Sequence, residues 1–443
     1  MATRTPTGWA RLPGVAQAQA RLHQARQRID SVKIANRPLS WFITGWRGGL
    51  IVLIVAILFP QYNEESQITT LISVGVYVIL ALGLNIVVGY AGLLDLGYVA
   101  FFILGSYAYA IGTQGFIVNS AHQIVPIPVL PFWILLPGGA LLAGVFGVLL
   151  GAPTLRLRGD YLAIVTLGFG EIARIFFLNV PYFGSVNGVQ PSPLGVVSVP
   201  ILGTLDFGSY LDHTPLYYLV LTIVVMVILL VQSLRNSSMG RALIAIREDE
   251  TAAAATGVNL VRTKLLAFAL GATIGGIGGV LNAAAVPSID PATFVFAISI
   301  TILVMIVLGG IGSIPGVILG AFLLQYFNTQ VLGNINQWVH TNGLVASTTS
   351  PFHFLFTFDF NQAKFLMYGL VLLAMVLFRP QGIIPDVRRK RELKGEAAIE
   401  SAETFSAVGL LAKEQAGEAV SGIGAEDHTE YAGPGSDAQG RED

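Results

Sequence analysis

The chain has 443 residues, 53% of them apolar and only 12% charged, with a mean hydropathy of +0.69. Soluble domains carry about 25% charged residues, so this balance excludes an ordinary water-soluble domain and points to a membrane protein. The lack of cysteine excludes disulfide frameworks, thiol catalysis and Cys-based metal sites, while the formal net charge of −1 hides a division: residues 395–443 set eleven acids against Lys413 and Arg441, a net −9, which leaves +8 on the rest.

In chain order, residues 1–47 form a polar, basic extension containing Arg4, Arg11, Arg21, Arg26, Arg28, Lys33, Arg37 and Arg47. Val15, Leu22 and Ile29, with Ala18, Ala25 and Val32 offset by three, recur every seven residues. That pattern fits a basic amphipathic helix on a membrane surface or a weak intermolecular coil. The long polar lead-in does not match a cleavable signal peptide, so the first apolar helix is expected to stay in the mature protein.

Ten apolar stretches, give or take one, then read as spans, and several of them meet the requirement of roughly 20 residues for crossing a hydrocarbon core as a helix. They lie near 48 to 60, 68 to 90, 94 to 112, 129 to 152, 161 to 179, 215 to 234, 264 to 286, 294 to 309, 314 to 330 and 364 to 378. The first is short unless it tilts or begins near Trp41 with Arg47 snorkelling. The third carries Asp95 and reads either as a span or as a half-helix that turns back. Gly147 and Gly151, Gly271 and Gly275, and Gly312, Gly316 and Gly320 lie four apart, which makes smooth grooves for close helix packing. "GGIGSIPG", 309 to 316, marks a break between two spans.

Lys and Arg cluster in 1–47, at Arg156 and Arg158, in 235–264 and in 379–394, and are missing from the intervening loops. With ten spans, this asymmetry puts both termini in the cytoplasm. The expected organisation is an N-terminal extension over 1–47, a transmembrane domain over 48–385 with a cytoplasmic loop about 236–262, and an acidic, disordered cytoplasmic tail over 386–443. "PFHFLFTFDF", 351 to 360, reads as an aromatic collar at the outer interface, or as a docking surface for an extracytoplasmic partner.

Reaction machinery is missing from the sequence. The histidines (His23, His122, His213, His340, His353, His428) are scattered singly. No HExxH, no serine elbow and no phosphate-cradling GxxxxGK[ST] occurs, so no enzymatic activity is expected. The polar groups inside apolar stretches are the remaining candidates, because burying them is costly. Glu171 and Arg174, three apart on one helix face, fit a structural ion pair or a pair that meets a passing zwitterion. Asn85, Asp95 and Asn282 fit interhelical hydrogen bonds or a translocation pathway.

The most charged internal stretch is "GRALIAIREDETAAAATG", Gly240 to Gly257. Leu243, Ile244 and Ile246 make a small apolar ridge. Asp249 is suited to cap the next turn, the alanines propagate helix, and Gly257 is suited to end it in the left-handed conformation. The expected shape is two short helices joined at an acidic corner and offered to a partner's groove.

This loop resembles the cytoplasmic loop of bacterial ABC importer permeases, which carries Glu-Ala-Ala and, a few residues on, Gly. Ala252 and Ala253 stand at the matching distance before Gly257, but Thr251 precedes them and the acid, Glu250, comes one residue early. Further motifs, "ALGLNIVVGYAGLLDLGYVAFFILGSYAYA", "LRLRGDYLAIVTLGFGEIARI", "TKLLAFALGATIGGIGG" and "VLGGIGSIPGVILGA", resemble the permeases of branched-chain amino acid importers. They are most like the larger, M-type permease of the Liv system. The resemblance covers roughly residues 70 to 385.

It implies the ABC importer permease fold in a bacterial inner membrane. It also implies a second homologous permease, two cytoplasmic ATPase subunits and a periplasmic protein that binds leucine, isoleucine or valine. On this view the chain binds no cofactor of its own, ATP is used by the partner subunits, the surroundings are lipid, and no nucleic acid is involved. Gly240, Arg241, Arg247, Glu248, Asp249, Glu250, Ala252, Ala253 and Gly257 would form the coupling loop. Urea or short amides are the competing substrates within that family. Outside it, an ion-coupled secondary transporter using Asp95, Glu171 and Arg174 remains open.

Overall fold

The computed structural model describes residues 33–34, 37–38, 46–61, 65–118, 124–154, 160–184, 188–192, 194, 196–199, 203–206, 213–334, 337–338, 360–379 and 382–384. The heptad pattern before residue 33, the basic pair Arg156 and Arg158, the aromatic stretch up to residue 359 and the acidic tail lie outside the described residues.

Helix dominates. α1 spans Trp46–Leu58, and α2 spans Glu65–Asn85 and runs on through a π turn, Ile86–Tyr90. α3 covers Val99–Gln114, α4 Phe132–Thr154 and α5 Asp160–Asn179. α6 follows over Thr214–Asn236, then the short α7 and α8, Ser238–Glu248 and Glu250–Ala255. α9 is Leu260–Ala285, α10 Phe296–Gly309, α11 Ile314–Tyr326 and α12 Phe360–Phe378.

Each apolar stretch read from the sequence contains a helix among the described residues, the third only from Val99. Among the described residues, six helices are long and apolar enough to cross a membrane: Glu65–Tyr90, Phe132–Thr154, Tyr161–Asn179, Thr214–Asn236, Leu260–Ala285 and Ile314–Asn334. Val52–Gln61, Val99–Gln114 and Phe296–Gly309 are apolar but shorter. The all-helical reading omits three antiparallel hairpins in the connections: β1–β2 (Lys33–Ile34, Arg37–Pro38), β3–β4 (Phe116–Val118, Ile124–Pro126) and β5–β6 (Val196–Val199, Gly203–Asp206). Strands of two to four residues are too short to leave a period-two signal in the sequence.

The core forms around α9, which packs against α4, α3 and α2. Small residues set the spacing. A Cβ on Gly105 of α3 would run into the carbonyl oxygen of Gly276 on α9, and one on Gly276 would sit 2.6 Å from the methyl of Ala143 on α4. Such contacts bring backbones together where hydrocarbon offers no hydrophobic drive between helices. Polar side chains then tie the seam: Ser106 Oγ donates to the Gly279 carbonyl at 3.0 Å, and the Tyr98 hydroxyl to the Gly271 carbonyl at 3.0 Å. The outer face of α4 stays apolar, with Leu141, Val145 and Leu149 exposed, as a lipid-facing stripe requires.

Two hairpin-like breaks punctuate the bundle. Between α2 and α3 the chain leaves the helix for residues 91–98, with Gly92 at φ +71°. Asp95 lies here, four residues ahead of α3 and outside it. A carboxylate that takes the Gly97 amide has left the helical ladder, so the third apolar stretch starts at Val99 and not at 94. Between α10 and α11, Gly310 and Gly312 take φ +121° and +85°, and Ser313 then caps α11. Residues Ile383 and Ile384 donate to the free carbonyls of Leu308 and Gly309 at the end of α10, which satisfies acceptors that a helix C-terminus leaves open.

Candidate coupling corner and buried polar sites

The charged stretch builds its own corner from local signals. Ser237 caps α7 through the Gly240 amide at 3.2 Å. A Cβ on Gly240 would strike the carbonyls of Leu234 and Arg235, so glycine allows the tight turn out of α6. Asp249, extended at φ −152°, ends α7 and starts α8, its carboxylate accepting from Thr251 N at 2.7 Å and Ala252 N at 3.0 Å. Those amides, Ala252 first, hold the Asp249 carboxyl below its ordinary value. Ala252, Ala254 and Ala255 carry α8 with exposed methyls, while Ala253 is buried. Gly257 closes the unit at φ +89°, where L side chains are strained.

Two of the three ridge residues face inward, while Ile244 is partly exposed. Leu243 is fully buried and Ile246 nearly so, packed within the chain's own core as α7 lies against α9 and the π turn of α2. An amphipathic helix beside an open apolar seam buries its stripe there first, which local periodicity cannot foretell. The corner presents to solvent the polar side chains of Arg241, Glu248, Asp249 and Thr251 together with the methyls of Ala252, Ala254 and Ala255 and the backbone of Gly257.

Two charged contacts tie this corner to the membrane helices. Lys264, in the first turns of α9 and with a side chain only 9% exposed, donates from Nζ to Glu250 Oε1 at 2.6 Å. The acid that stands one place early relative to the family pattern thus has a specific counter-charge, a partner the sequence reading missed. A lysine at the inner end of the basic cluster, where the apolar run of α9 begins, was the available signal. The second tie is Arg247, whose Nη1 donates to the Gly89 carbonyl in the π turn, while its stem covers Gly92. Gly89 in turn is wedged between Asn85 and Gly312. Asn85, fully buried, accepts the Gly312 amide on Oδ1 at 2.9 Å. A continuous line of contact therefore runs from α7 through the end of α2 to the break between α10 and α11.

The other intramembrane candidates fall into separate places. Asp95 is 1% exposed and accepts the Gly97 amide at 2.9 Å, next to Thr166 of α5, whose Oγ1 accepts from Leu96 N at 3.1 Å. The Val99 amide at the start of α3 donates to Ser299 of α10 at 3.0 Å. Neither Thr166 nor Ser299 was singled out from sequence, because a hydroxyl in an apolar helix carries no positional signature. Glu171 and Arg174 pair with each other, Arg174 Nε donating to Glu171 Oε2 at 2.9 Å. Asn282, partly buried in the last turns of α9, shares no hydrogen bond with these groups among the described residues. The structure thus joins Asn85 to the coupling corner and leaves Asp95, the Glu171–Arg174 pair and Asn282 apart. No group of three or more metal-ligating side chains occurs among the described residues.

Comparison with known proteins gives a consistent result. The family described as branched-chain amino acid transport system, permease component, matches residues 66–377. The high-affinity branched-chain amino acid transport system permease protein LivM of Escherichia coli (strain K12) is 38% identical over 370 residues, covering 79% of this chain and 76% of that protein. LivM of Salmonella typhimurium is 36% identical over 375 residues, 80% and 78% of the two chains. LivH of Salmonella typhimurium, also named as a permease protein of that system, is 26% identical over 260 residues, covering 56% of this chain and 79% of its own. No solved structure gives a significant match. A multi-pass helical body and a family match spanning its membrane helices lead to one conclusion: the chain belongs to the branched-chain amino acid transport permease family.

Proposed function

We propose that this chain is the membrane-spanning permease subunit of an ATP-driven importer of leucine, isoleucine and valine, and that α7 and α8 form the surface on which a separate ATPase acts. The observation that carries the reading is the anchored corner. It presents exposed polar side chains, yet Glu250–Lys264 and Arg247–Gly89 tie it to α9 and to the end of α2. A solvated connector has no need of either tie. Force applied to α7 would reach Asn85 and the Gly312 break through the direct contacts of Arg247 with Gly89 and of Asn85 with Gly312. A partner's nucleotide can shift the equilibrium between pathway states only through differential affinity for them, and a rigid corner converts that difference into helix movement.

On this reading the bacterial inner membrane is the site of action, both termini are cytoplasmic, and the domains run 1–47, 48–385 and 386–443. The partners are a second homologous permease, two cytoplasmic ATPases and a periplasmic amino-acid-binding protein. The matches to permease proteins of branched-chain amino acid systems support the substrate class. A pocket separates side chains differing by one methylene by only about 1 to 3 kcal/mol, so leucine, isoleucine and valine are taken as one substrate class, with urea or short amides as the alternative within the family. Affinity purification from native membranes tests the reading: two ATPases and a second permease should co-purify. Recovery of this chain alone, or only with copies of itself, would favour an ion-coupled transporter instead.

A further inference from the structure

The Glu171–Arg174 pair has an arrangement that its internal salt bridge does not explain. Both residues fall close to the middle of α5, and their side chains remain 33% and 24% exposed. One face of α5 is buried through Ala163, Thr166, Ala173 and Phe177, and the opposite face is apolar and exposed through Ile164, Ile172 and Ile175. The pair sits on the border between them, in a stripe with half-buried Leu167 and Leu178. Charged side chains at bilayer depth avoid hydrocarbon and face protein or water-filled space. By that rule this border is expected to meet protein or water rather than lipid tails.

The pair is also incompletely used. Only Arg174 Nε and Glu171 Oε2 are engaged. Among the described residues, both terminal nitrogens of the guanidinium and the second carboxylate oxygen have no partner. A guanidinium offers a planar fork that matches a carboxylate bidentately, and the free Glu171 oxygen is an acceptor for an ammonium. The two sets of free valences lie side by side with opposite sign. That is the pattern of an α-amino acid's own charged groups, inverted.

We propose that Glu171 and Arg174 form a two-point site for the zwitterionic backbone of the transported amino acid, on the pathway-facing edge of α5. The free Arg174 nitrogens take the carboxylate, Glu171 takes the ammonium, and the apolar side chain lies along one of the leucines that flank the pair on this stripe, Leu167 one turn before it or Leu178 one turn after it. The site accounts for the retention of a charged pair at mid-helix, and it reads the feature common to leucine, isoleucine and valine while leaving the side chain to apolar contact. The proposal rests on the importer reading. Failure of that reading would show separately, as absence of ATP-dependent uptake by the wild-type protein.

The absence of native cysteine makes the test direct. Leu167→Cys and Leu178→Cys are each placed in the full chain in native membranes, with and without ATP and vanadate, and treated with a membrane-impermeant thiosulfonate. Leu141→Cys on the exposed face of α4 serves as the lipid-facing control. At least one stripe cysteine should react while Leu141→Cys does not, and leucine at about ten times its Kd should slow that reaction about tenfold. Isopentylamine and 4-methylpentanoate, each lacking one of the two charges, should give no such protection, and adding Arg174→Gln should abolish the protection by leucine without abolishing labelling. Unreactive cysteines in every state, labelling that leucine does not slow, or equal protection by the singly charged analogues would each overturn the proposal.

Discussion

Gly257 carries a backbone requirement and nothing else. Its φ of +89° is strained for L side chains, yet a Cβ there would meet no atom within 4 Å. Gly257→Val therefore leaves packing untouched and opposes only the left-handed conformation, at a cost of about 1 to 2 kcal/mol. Membrane insertion and subunit association should persist while uptake is lost, as measured by transport in membranes carrying equal amounts of the variant. Asn85 makes the opposite kind of contribution. Asn85→Ala would strand the buried Gly312 amide, costing about 1 to 3 kcal/mol, and should lower the thermal stability of the purified protein.

The Glu250–Lys264 pair is asymmetric, since Lys264 is nearly buried and Glu250 is 42% exposed. Removing the acid leaves a buried cation without its counter-charge, whereas removing both charges does not. Glu250→Gln should thus lower the melting temperature more than Glu250→Gln combined with Lys264→Met. These roles were only half legible in the sequence. Asp249, Gly257 and the alanine run announced themselves because capping and left-handed turns are local. Lys264 and Gly89 did not, because a partner 14 or 158 residues away leaves no local mark.

At the scale of elements, α7 and α8 act as one capped unit. The Asp249 carboxyl is held below its ordinary value by the amides of Ala252 and Thr251. Its contribution is fully present above the unfolded carboxyl's pKa and fades as pH falls through the lower folded value. Asp249→Asn, which keeps an acceptor without the charge, should make transport insensitive to that acidic transition, whereas Asp249→Ala should abolish coupling at every pH. Arg247 tests the line from corner to pathway: Arg247→Ala should leave partner binding and ATP hydrolysis in place while uptake per ATP falls, and Arg247→Lys should restore uptake only in part because it loses the planar fork. Parallel assays of phosphate release and leucine uptake in the same vesicles give that ratio. The helix–corner–helix shape could be read from residues 240–257, but the direction of its apolar ridge could not. Whether Leu243 and Ile246 face a partner or the chain's own core depends on α9, and periodicity is blind to that.

In the whole molecule, glycine-lined contact between α3, α4 and α9 fixes how the bundle stands. Gly276→Leu would drive a branched side chain into the Gly139 carbonyl and the Ala143 methyl. An overpacking cost of at least about 1 to 3 kcal/mol follows, and reduced yield of folded protein on size-exclusion chromatography should report it. Among the described residues the apolar helices were legible because runs of hydrophobic residues need no tertiary information. Where those helices break was not: Asp95 reads as part of a span until its carboxylate is seen taking the Gly97 amide, and the polar contacts at Thr166 and Ser299 depend on which helices become neighbours.

The central claim is that this body moves solute only when an external ATPase drives its corner. Reconstituting the purified chain alone, and the complex recovered from native membranes, into separate vesicles and following labelled leucine with the binding protein supplied tests it most directly. Accumulation is expected only in vesicles holding the complex and ATP, and none with the chain alone under proton or sodium gradients. Sustained leucine accumulation by the chain alone, driven by an ion gradient, would contradict it.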